Sequence, residues 1–309
     1  MTSLLSLGLV ETPVRELPGH GWRRLAVKDE TLQTSGAFKF RGVARKISTL
    51  PPGTPLTTAS TGNHGAALAI AGHRLGNPVR VFVPASTPRI KLARIVDHGA
   101  EVHLEPGQYD DAEAAARTYA RRSGAYYVPS FDDPEIIKGH QTMFAEAERQ
   151  NGRPDVVFVP VGGGGLASAA LTAWPGTEVV GVEHASAPAM RESLRRGSPW
   201  LASPGPSPAE GLLVRRIGAL PLRICQAADL RVELVTDDEI ADAIRVLHAE
   251  AGIRAEFAGA AALAVALRRA DPGRKALCVV SGGNIDDDLW RQVVRRPDAG
   301  QAQGLRPGQ

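Results

Sequence analysis

Cysteines, aromatic residues and long apolar runs are all scarce in this sequence of 309 residues. The two cysteines, Cys225 and Cys278, cannot form a disulfide framework and are typical of a reducing compartment. No apolar stretch approaches the roughly 18 residues that a membrane-spanning helix needs, and the first residues lack the basic and apolar regions of a secretion signal. These absences argue against a secreted disulfide-rich protein and against a membrane protein, so we expect a cytoplasmic protein with no membrane partner.

A large excess of either charge is also missing. The formal net charge is +3, and aromatic residues make up 5% of the chain. The arginines form scattered pairs with no continuous basic stripe, such as Arg23-Arg24, Arg121-Arg122, Arg195-Arg196 and Arg268-Arg269. Because nucleic-acid binding needs a basic surface and favours aromatic residues that stack on bases, we expect no nucleic-acid partner.

The sequence does contain a repeated alternation of short β-branched runs with helical segments. The predicted strands are 79–84, 100–104, 156–161, 178–183 and 275–280, and helices are predicted at 86–98 and 111–122. Almost wholly apolar strands of this kind lie in parallel sheets that helices cover on both faces. The pattern therefore predicts an α/β fold, with chain breaks at the proline- and glycine-rich segments 51–55, 204–208 and 271–273.

Lys39 is the most informative single residue. Most lone lysines are solvated, but this one lies between Phe38 and Phe40 in the segment Ser-Gly-Ala-Phe-Lys-Phe-Arg-Gly. Apolar flanks disfavour the charged ammonium form and leave a neutral amine that can attack a carbonyl group. Lys39 is therefore a candidate Schiff-base lysine.

Three further segments have residues that suit a site for an anionic ligand. Residues 58–65, Thr-Ala-Ser-Thr-Gly-Asn-His-Gly, lead into a helix that Ser60 or Thr61 is expected to cap, and the helix amides can bind a carboxylate. Four consecutive glycines in residues 159–166 allow main-chain amides to close around a phosphate, although tight turns also use glycine. Ser281 follows the last predicted strand, where α/β folds gather ligands, but an ordinary turn serine would also fit.

Together these segments resemble the fold-type II pyridoxal phosphate enzymes, specifically the branch of threonine/serine ammonia-lyases (dehydratases) and serine racemases. Residues 30–43 are similar to the family's lysine signature. Ser-Thr-Gly-Asn-His, the four glycines and Ser-Gly-Gly-Asn-Ile-Asp follow in the family's order, and the resemblance extends over residues 8–290. It implies pyridoxal 5′-phosphate as the cofactor and a tryptophan synthase β-like architecture.

The resemblance also implies a division into two domains. Residues 1–46 and 136–296 are expected to form a large cofactor-binding domain, and residues 47–135 a small mobile domain that closes over the substrate. The polar residues 297–309 are expected to form a disordered tail. Because the chain ends soon after the last motif, we expect no regulatory domain and no feedback control by isoleucine.

The family's functional residues map onto matching positions of this chain. By the resemblance, Lys39 holds the cofactor as a Schiff base and later removes the substrate's α-proton, while Phe38 packs beside the ring. Asn63 contacts the 3′ oxygen of the ring and Ser281 faces its pyridine nitrogen. Glu256 is assigned to the cofactor site, although a phenylalanine follows it where the family has proline.

Two loops complete the implied site. The phosphate lies against main-chain amides of the glycine loop, which comprises Gly162, Gly163, Gly164, Gly165 and Leu166. The substrate carboxylate lies against the loop of Ser60, Thr61, Gly62, Asn63 and His64.

Two positions bear on the subfamily. Thr61 lies where racemases have a serine, so its hydroxyl is a candidate for proton exchange on the far face of the cofactor, with helix capping as the alternative. Glu183 matches a metal ligand of some members, but Ala189 replaces their second carboxylate. Since loss of a carboxylate weakens an oxygen-ligand site, we expect no metal.

The resemblance implies β-elimination from a 3-hydroxy amino acid, with L-threonine or L-serine as the leading substrates, to give a 2-oxo acid and ammonia. A serine beside the pyridine nitrogen leaves the ring a weaker electron sink, which favours prompt loss of the leaving group. The alternatives are a β-replacement synthase, an amino-acid racemase, a 3-hydroxyaspartate ammonia-lyase and, in a different class, a cofactor-bound binding protein without activity. We expect a small amino-acid substrate and a homodimer.

Overall fold

Two β-sheets organise the chain, of which the computed structural model describes residues 8–295. The strands are β1 (Val14–Glu16), β2 (Trp22–Asp29), β3 (Leu56–Ala59), β4 (Val79–Pro84), β5 (Glu101–Glu105), β6 (Tyr126–Tyr127), β7 (Val156–Pro160), β8 (Glu178–His184), β9 (Arg231–Val235) and β10 (Asp271–Val280). The larger sheet has the order β1-β2-β10-β7-β8-β9, and the smaller sheet has the order β5-β4-β3-β6. Every neighbouring pair is parallel except β1 with β2, which confirms the predicted α/β class.

Helices cover both sheets. They are α1 (Lys39–Ile47), α2 (Asn63–Leu75), α3 (Arg89–Val96), α4 (Tyr109–Ser123), α5 (Pro134–Asn151), α6 (Gly165–Ala173), α7 (Ala189–Arg196), α8 (Ala219–Ala227), α9 (Asp237–Ala251), α10 (Phe257–Arg268) and α11 (Asp287–Val294). Several of these helices begin at capping residues that can be recognised in the sequence. Asp133 caps α5 by accepting hydrogen bonds from the amides of Glu135 and Ile136, and Thr236 and Glu239 form a capping box on α9.

The buried strands explain the layered arrangement. All five residues of β7 are buried, because α10 packs on one face of the larger sheet and α5 and α6 pack on the other. The predicted break at residues 271–273 is wrong, since these residues open β10. The pairing register of β10 with β2 shifts between Asp271 and Lys275, so the turn-forming residues are accommodated as an irregularity at the end of a strand.

The smaller sheet has its own core. All its strands lie within residues 47–135, but Phe40, Val43 and Ala44 of α1, which precede this range, also belong to this core. The domain boundaries inferred from the sequence stay a prediction, and the expected tail at 297–309 lies outside the described residues. None of the helices within residues 8–295 is long and apolar enough to cross a membrane.

A buried group of charges fixes the start of α1. Arg41 has no exposed side-chain surface and pairs with Glu30 and Glu146, each at 2.7 Å. Glu146 also pairs with the fully buried Lys28 at 3.0 Å. Each of these buried charges has an opposite partner, as burial requires. Because these partners lie on or next to β2 and on α5, the pairs hold the first turn of α1, and with it Lys39, against both elements.

Candidate active site

The four sequence segments converge at the carboxyl ends of parallel strands. β2 and β10 are parallel neighbours that end in register at Asp29 and Val280, so the chain that follows each strand emerges at the same edge of the sheet. The amide of Phe38 donates to the carbonyl of Ser281 at 2.9 Å, and Ala37 forms a bridge with Gly282. The lysine segment therefore lies directly beside the Ser281 segment.

The amine of Lys39 is enclosed by apolar rings. Nζ lies 5.1 Å from the centre of the Phe38 ring and 5.9 Å from that of Phe131, and it donates a hydrogen bond to the carbonyl of Ser130 at 2.9 Å. Burial lowers the pKa of Lys39 to about 8, because the surroundings disfavour the charged form. A substantial fraction of this amine is therefore neutral in mildly basic solution.

The glycine loop joins β7 to α6 and packs against the same aromatic residue. A Cβ atom at Gly163 would lie 2.2 Å from the ring of Phe131, so no larger residue fits there. Gly164 has a φ of +93°, a left-handed conformation that favours glycine. The amides of the first turn of α6 have no acceptor within the helix. The loop thus presents main-chain donors near Phe131, whose ring borders the Lys39 amine.

The Ser60–His64 loop follows β3, and here the capping prediction is wrong. α2 begins at Asn63, its cap residue is Gly62, and no side chain caps it. Ser60 lies too far before the helix, and its hydroxyl accepts instead from the amide of Gly62 at 3.3 Å. Since neither Ser60 nor Thr61 occupies the amides at the start of α2, these amides are left for an anion.

The ring of His64 makes a hydrogen bond to a main-chain carbonyl. Its Nε2 lies 3.1 Å from the carbonyl of Val128, and a carbonyl only accepts, so the proton is on Nε2. Burial and the nearby charge of Lys39 lower the pKa of His64 to about 3, so the imidazole is neutral. Its remaining Nδ1 lone pair cannot donate to a carboxylate, which leaves the main-chain amide of His64 for that contact.

Asn63 and Glu256 form a polar contact between the two sheets. Nδ2 of Asn63 donates to Oε1 of Glu256 at 2.7 Å. Burial raises the pKa of Glu256 to about 7, although the hydrogen bond from Asn63 opposes the shift. Ser281 is buried nearby, with 4% of its surface exposed. Its carbonyl contact with Phe38 places Ser281 beside the main chain that immediately precedes Lys39.

Two ion pairs link the helices of the smaller sheet to the segment that follows α7. Lys91 of α3 pairs with Glu210, and Asp110 of α4 pairs with Arg215. Both pairs are partly exposed, so their individual contributions to stability are small. Their positions show that α3 and α4 lie next to residues 210–215 in this structure.

The side chain of Glu183, the candidate metal ligand, accepts hydrogen bonds from the main chain. Its two carboxylate oxygens accept from the amides of Met190 and Arg191 at 2.6 and 2.9 Å, and the residue is 1% exposed. Within residues 8–295 no group of three or more His, Cys, Asp or Glu side chains could hold a metal ion. The carboxylate therefore serves as an acceptor at the start of α7.

Sequence reasoning missed Ser130, Phe131 and Asn284. Ser130 and Phe131 follow β6, so their position after a parallel strand was a usable signal, but β6 has only two residues and is hard to recognise. Asn284 belongs to the Ser-Gly-Gly-Asn-Ile-Asp motif, yet no role was predicted for it. Its Nδ2 lies 2.7 Å from Oδ1 of Asn63.

Comparisons with known proteins found similar sequences and similar structures. The family model described as pyridoxal-phosphate dependent enzyme matches residues 5–282. The L-threonine ammonia-lyase of Thermotoga maritima is 35% identical over 278 residues, which cover 87% of this chain and 69% of that protein. Threonine deaminase isoform 2 of Solanum lycopersicum, in its processed form, superposes with a TM-score of 0.88 at 30% identity, covering 94% of this chain and 89% of the other. Maize serine racemase has a TM-score of 0.84 at 25% identity, covering 94% and 96%.

Proposed function

This chain belongs to the family of pyridoxal-phosphate dependent enzymes, and we propose that it eliminates water from a 3-hydroxy amino acid, with L-threonine or L-serine as substrate. The observation that carries the proposal is the partly buried, partly neutral amine of Lys39 beside Ser281 and near the glycine loop. The relatives named as threonine ammonia-lyase and threonine deaminase support the same reaction. The products would be a 2-oxo acid and ammonia.

The residues present suit the cofactor. Pyridoxal 5′-phosphate supplies a ring that accepts the negative charge left when an α-proton is removed. Lys39 would hold it covalently, Phe38 would pack beside the ring, and Ser281 would face the pyridine nitrogen. The phosphate would lie against the amides of the glycine loop, which comprises Gly162, Gly163, Gly164, Gly165 and Leu166. That loop leads into α6, whose first amides have no acceptor within the helix, and its four glycines have no side chains that would cover these amides.

The substrate would be oriented by the loop after β3. Its carboxylate would lie against the loop of Ser60, Thr61, Gly62, Asn63 and His64 and would accept from main-chain amides at the start of α2. Once the substrate has displaced Lys39 from its covalent attachment, the amine of Lys39 would be free to take the α-proton. A pKa near 8 suits this transfer, because a base works best when its pKa lies near the working pH.

Racemization is the second candidate function. It is favoured by the position of Thr61, whose side chain caps no helix in this structure and therefore lacks the structural role that competed with a catalytic one. Its hydroxyl could return a proton to the face opposite Lys39. The likeness to maize serine racemase supports this candidate.

The test is an assay of purified protein with L- and D-serine, L- and D-threonine and 3-hydroxyaspartate, measuring 2-oxo acid, ammonia and the enantiomers of the remaining substrate. Equal release of both products supports elimination, and inversion that a Thr61→Ala variant loses supports racemization. Mass analysis with sulfide and an activated serine would reveal β-replacement. Binding without turnover of any substrate would instead support a binding protein.

Lys39→Ala tests the central assignment. The variant should lose both turnover and the covalent absorbance of the cofactor, because it has no amine at this position. Persistence of that absorbance would overturn the role of Lys39. Lys91→Ala is the matched control, because it removes a lysine amine that pairs with Glu210 and should leave the absorbance intact.

We also propose a homodimer that works in the cytoplasm. The cytoplasmic assignment is supported by the free, buried thiols of Cys225 and Cys278, which a reducing compartment preserves. Light scattering of the purified protein would test the oligomeric state, since a dimer has twice the mass of the 32.7 kDa chain.

A further inference from the structure

A continuous chain of hydrogen bonds runs from Ser35 through two asparagines to Glu256. Nδ2 of Asn284 lies 2.8 Å from the carbonyl oxygen of Ser35 and 2.7 Å from Oδ1 of Asn63. Nδ2 of Asn63 lies 2.7 Å from Oε1 of Glu256. The two amides and the carboxyl group are thus arranged in series.

The direction of this chain is set at the Ser35 end. A main-chain carbonyl can only accept, so the atom of Asn284 that faces it must be the nitrogen. The same nitrogen faces Asn63, and two nitrogens cannot share a hydrogen bond, so Asn63 must present its oxygen there. The nitrogen of Asn63 is then necessarily on the side of Glu256.

Asn284 is also fixed through its main chain. Nη1 of Arg94, on α3, donates to its carbonyl oxygen at 3.0 Å. Gly36 approaches its side chain so closely that a Cβ atom there would lie 2.5 Å from Oδ1. These contacts leave the Asn284 amide little freedom to rotate. The orientation of Asn63 therefore depends on a neighbour that is itself held on three sides.

We propose that Asn284 is a positioning residue that fixes the amide of Asn63 with its nitrogen, rather than its oxygen, available to the 3′ oxygen of the cofactor. The inference rests on the proposed function and on the contact between Asn63 and that oxygen which the family resemblance implies. The Asn63 nitrogen has two hydrogens, of which one goes to Glu256 and one is left for the cofactor. A rotated Asn63 would present an acceptor instead and would favour a protonated 3′ oxygen.

Asn284→Asp tests the inference, because aspartate has the shape of asparagine but lacks its amide donors. Asn63 should rotate to donate to the introduced carboxylate, and its oxygen should then face Glu256. We expect the bound cofactor to shift its absorbance toward the form with a protonated 3′ oxygen. We also expect its affinity to fall by at least about tenfold, the effect of losing one hydrogen bond to a charged group.

A double variant separates positioning from stability. In Asn284→Asp with Glu256→Gln, the glutamine amide can donate to the rotated Asn63, so the melting temperature should recover while the absorbance stays shifted. A purely structural role for Asn284 predicts instead that the two recover together. Asn284→Ala, which introduces no charge, serves if the aspartate variant does not fold, and it should shift the absorbance in the same direction.

Asn77→Asp is the matched control, because it makes the same substitution at a buried asparagine whose Nδ2 donates to the main-chain carbonyl of Thr54 at 2.9 Å, outside the series. Its absorbance should match that of the unmodified protein. If the unmodified protein binds the cofactor covalently and Asn284→Asp has the same spectrum at equal occupancy, the inference is wrong while the proposed function stands. If the unmodified protein forms no covalent complex, the proposed function itself fails.

Discussion

Replacing Arg41 by methionine should be among the most destabilising single changes near the active site. Arg41 is completely buried two residues after Lys39, and its guanidinium binds both oxygens of Glu30 and of Glu146 at 2.7–2.8 Å. Methionine has a similar length and fills most of the space. The change therefore removes the charge and leaves the packing largely in place.

The size of the effect follows from the partners left behind. Glu30 would keep only the hydroxyl of Thr12, at 2.5 Å, whereas Glu146 would keep Lys28, at 3.0 Å. One carboxylate thus becomes an uncompensated buried charge, which typically costs about 3–5 kcal/mol. For a chain of this size, roughly 2 °C of melting temperature corresponds to 1 kcal/mol, so we expect a fall of about 6–10 °C.

Urea-induced unfolding of Arg41→Met would measure this loss of stability, with Arg45→Met as the matched control. Arg45 lies on the same helix and pairs with Glu135 at 2.8 Å, but its side chain is 32% exposed. A pair of that kind contributes at most about 1 kcal/mol. The two variants therefore make the same substitution on one helix and differ mainly in the burial of the ion pair.

Acid should shrink the difference between Arg41→Met and the unmodified protein. Burial raises the pKa of Glu146, but hydrogen bonds and charge from Arg41 and Lys28 outweigh it and leave the pKa below the ordinary value. Stability from a carboxylate with a lowered pKa is present above the unfolded pKa and is lost as pH falls through the folded one. Without Arg41, Glu146 loses one of the two cations that lower its pKa, so it takes up a proton at a higher pH and its cost is relieved in acid. An equal loss at neutral and at acid pH would refute the charge argument and would indicate lost packing.

Three further predictions concern the surroundings of the site. Gly139→Ala places a Cβ atom 2.4 Å from the carbonyl of Arg41, so it should lower the free energy of unfolding in urea by about 1–3 kcal/mol. In the control Gly205→Ala the new Cβ atom has no neighbour closer than 3.7 Å, so the free energy of unfolding should hardly change. The pKa of Lys39 is about 8. The rate at which the cofactor-free protein condenses with pyridoxal phosphate should therefore rise with pH up to about 8 and then level off. A rate that continues to rise up to the ordinary lysine pKa would contradict this value. Burial raises the pKa of Glu183 from 4.5 to about 7, so its contribution to stability is lost as pH rises between these two values. Glu183→Gln should reduce that decline in urea midpoints, and an unchanged decline would count against the shift.

Much of the fold and site could be predicted because the relevant residues follow strands. The apolar runs that become β7 and β10 mark a parallel sheet, and residues after such strands meet at one edge. Lys39, the glycine loop and Ser281 all lie there. The helix cap was mispredicted at Ser60 because α2 begins only at Asn63, and helix ends depend on tertiary contacts more than helix interiors do.

The role of Asn284 illustrates a harder class of residue. Its motif was visible in the sequence, but its partners are 221 and 249 residues away in the chain, and no local pattern records such pairings. The sequence also does not show whether Oδ1 or Nδ2 of an asparagine faces a given neighbour. This orientation is known only when the neighbour is a group that can only donate or only accept. Here the fixed group is the carbonyl of Ser35, a main-chain atom that every residue has. The orientation of Asn63 therefore follows only from the folded structure, because only there does the Ser35 carbonyl contact Asn284 and fix the direction of the hydrogen bonds through both asparagines.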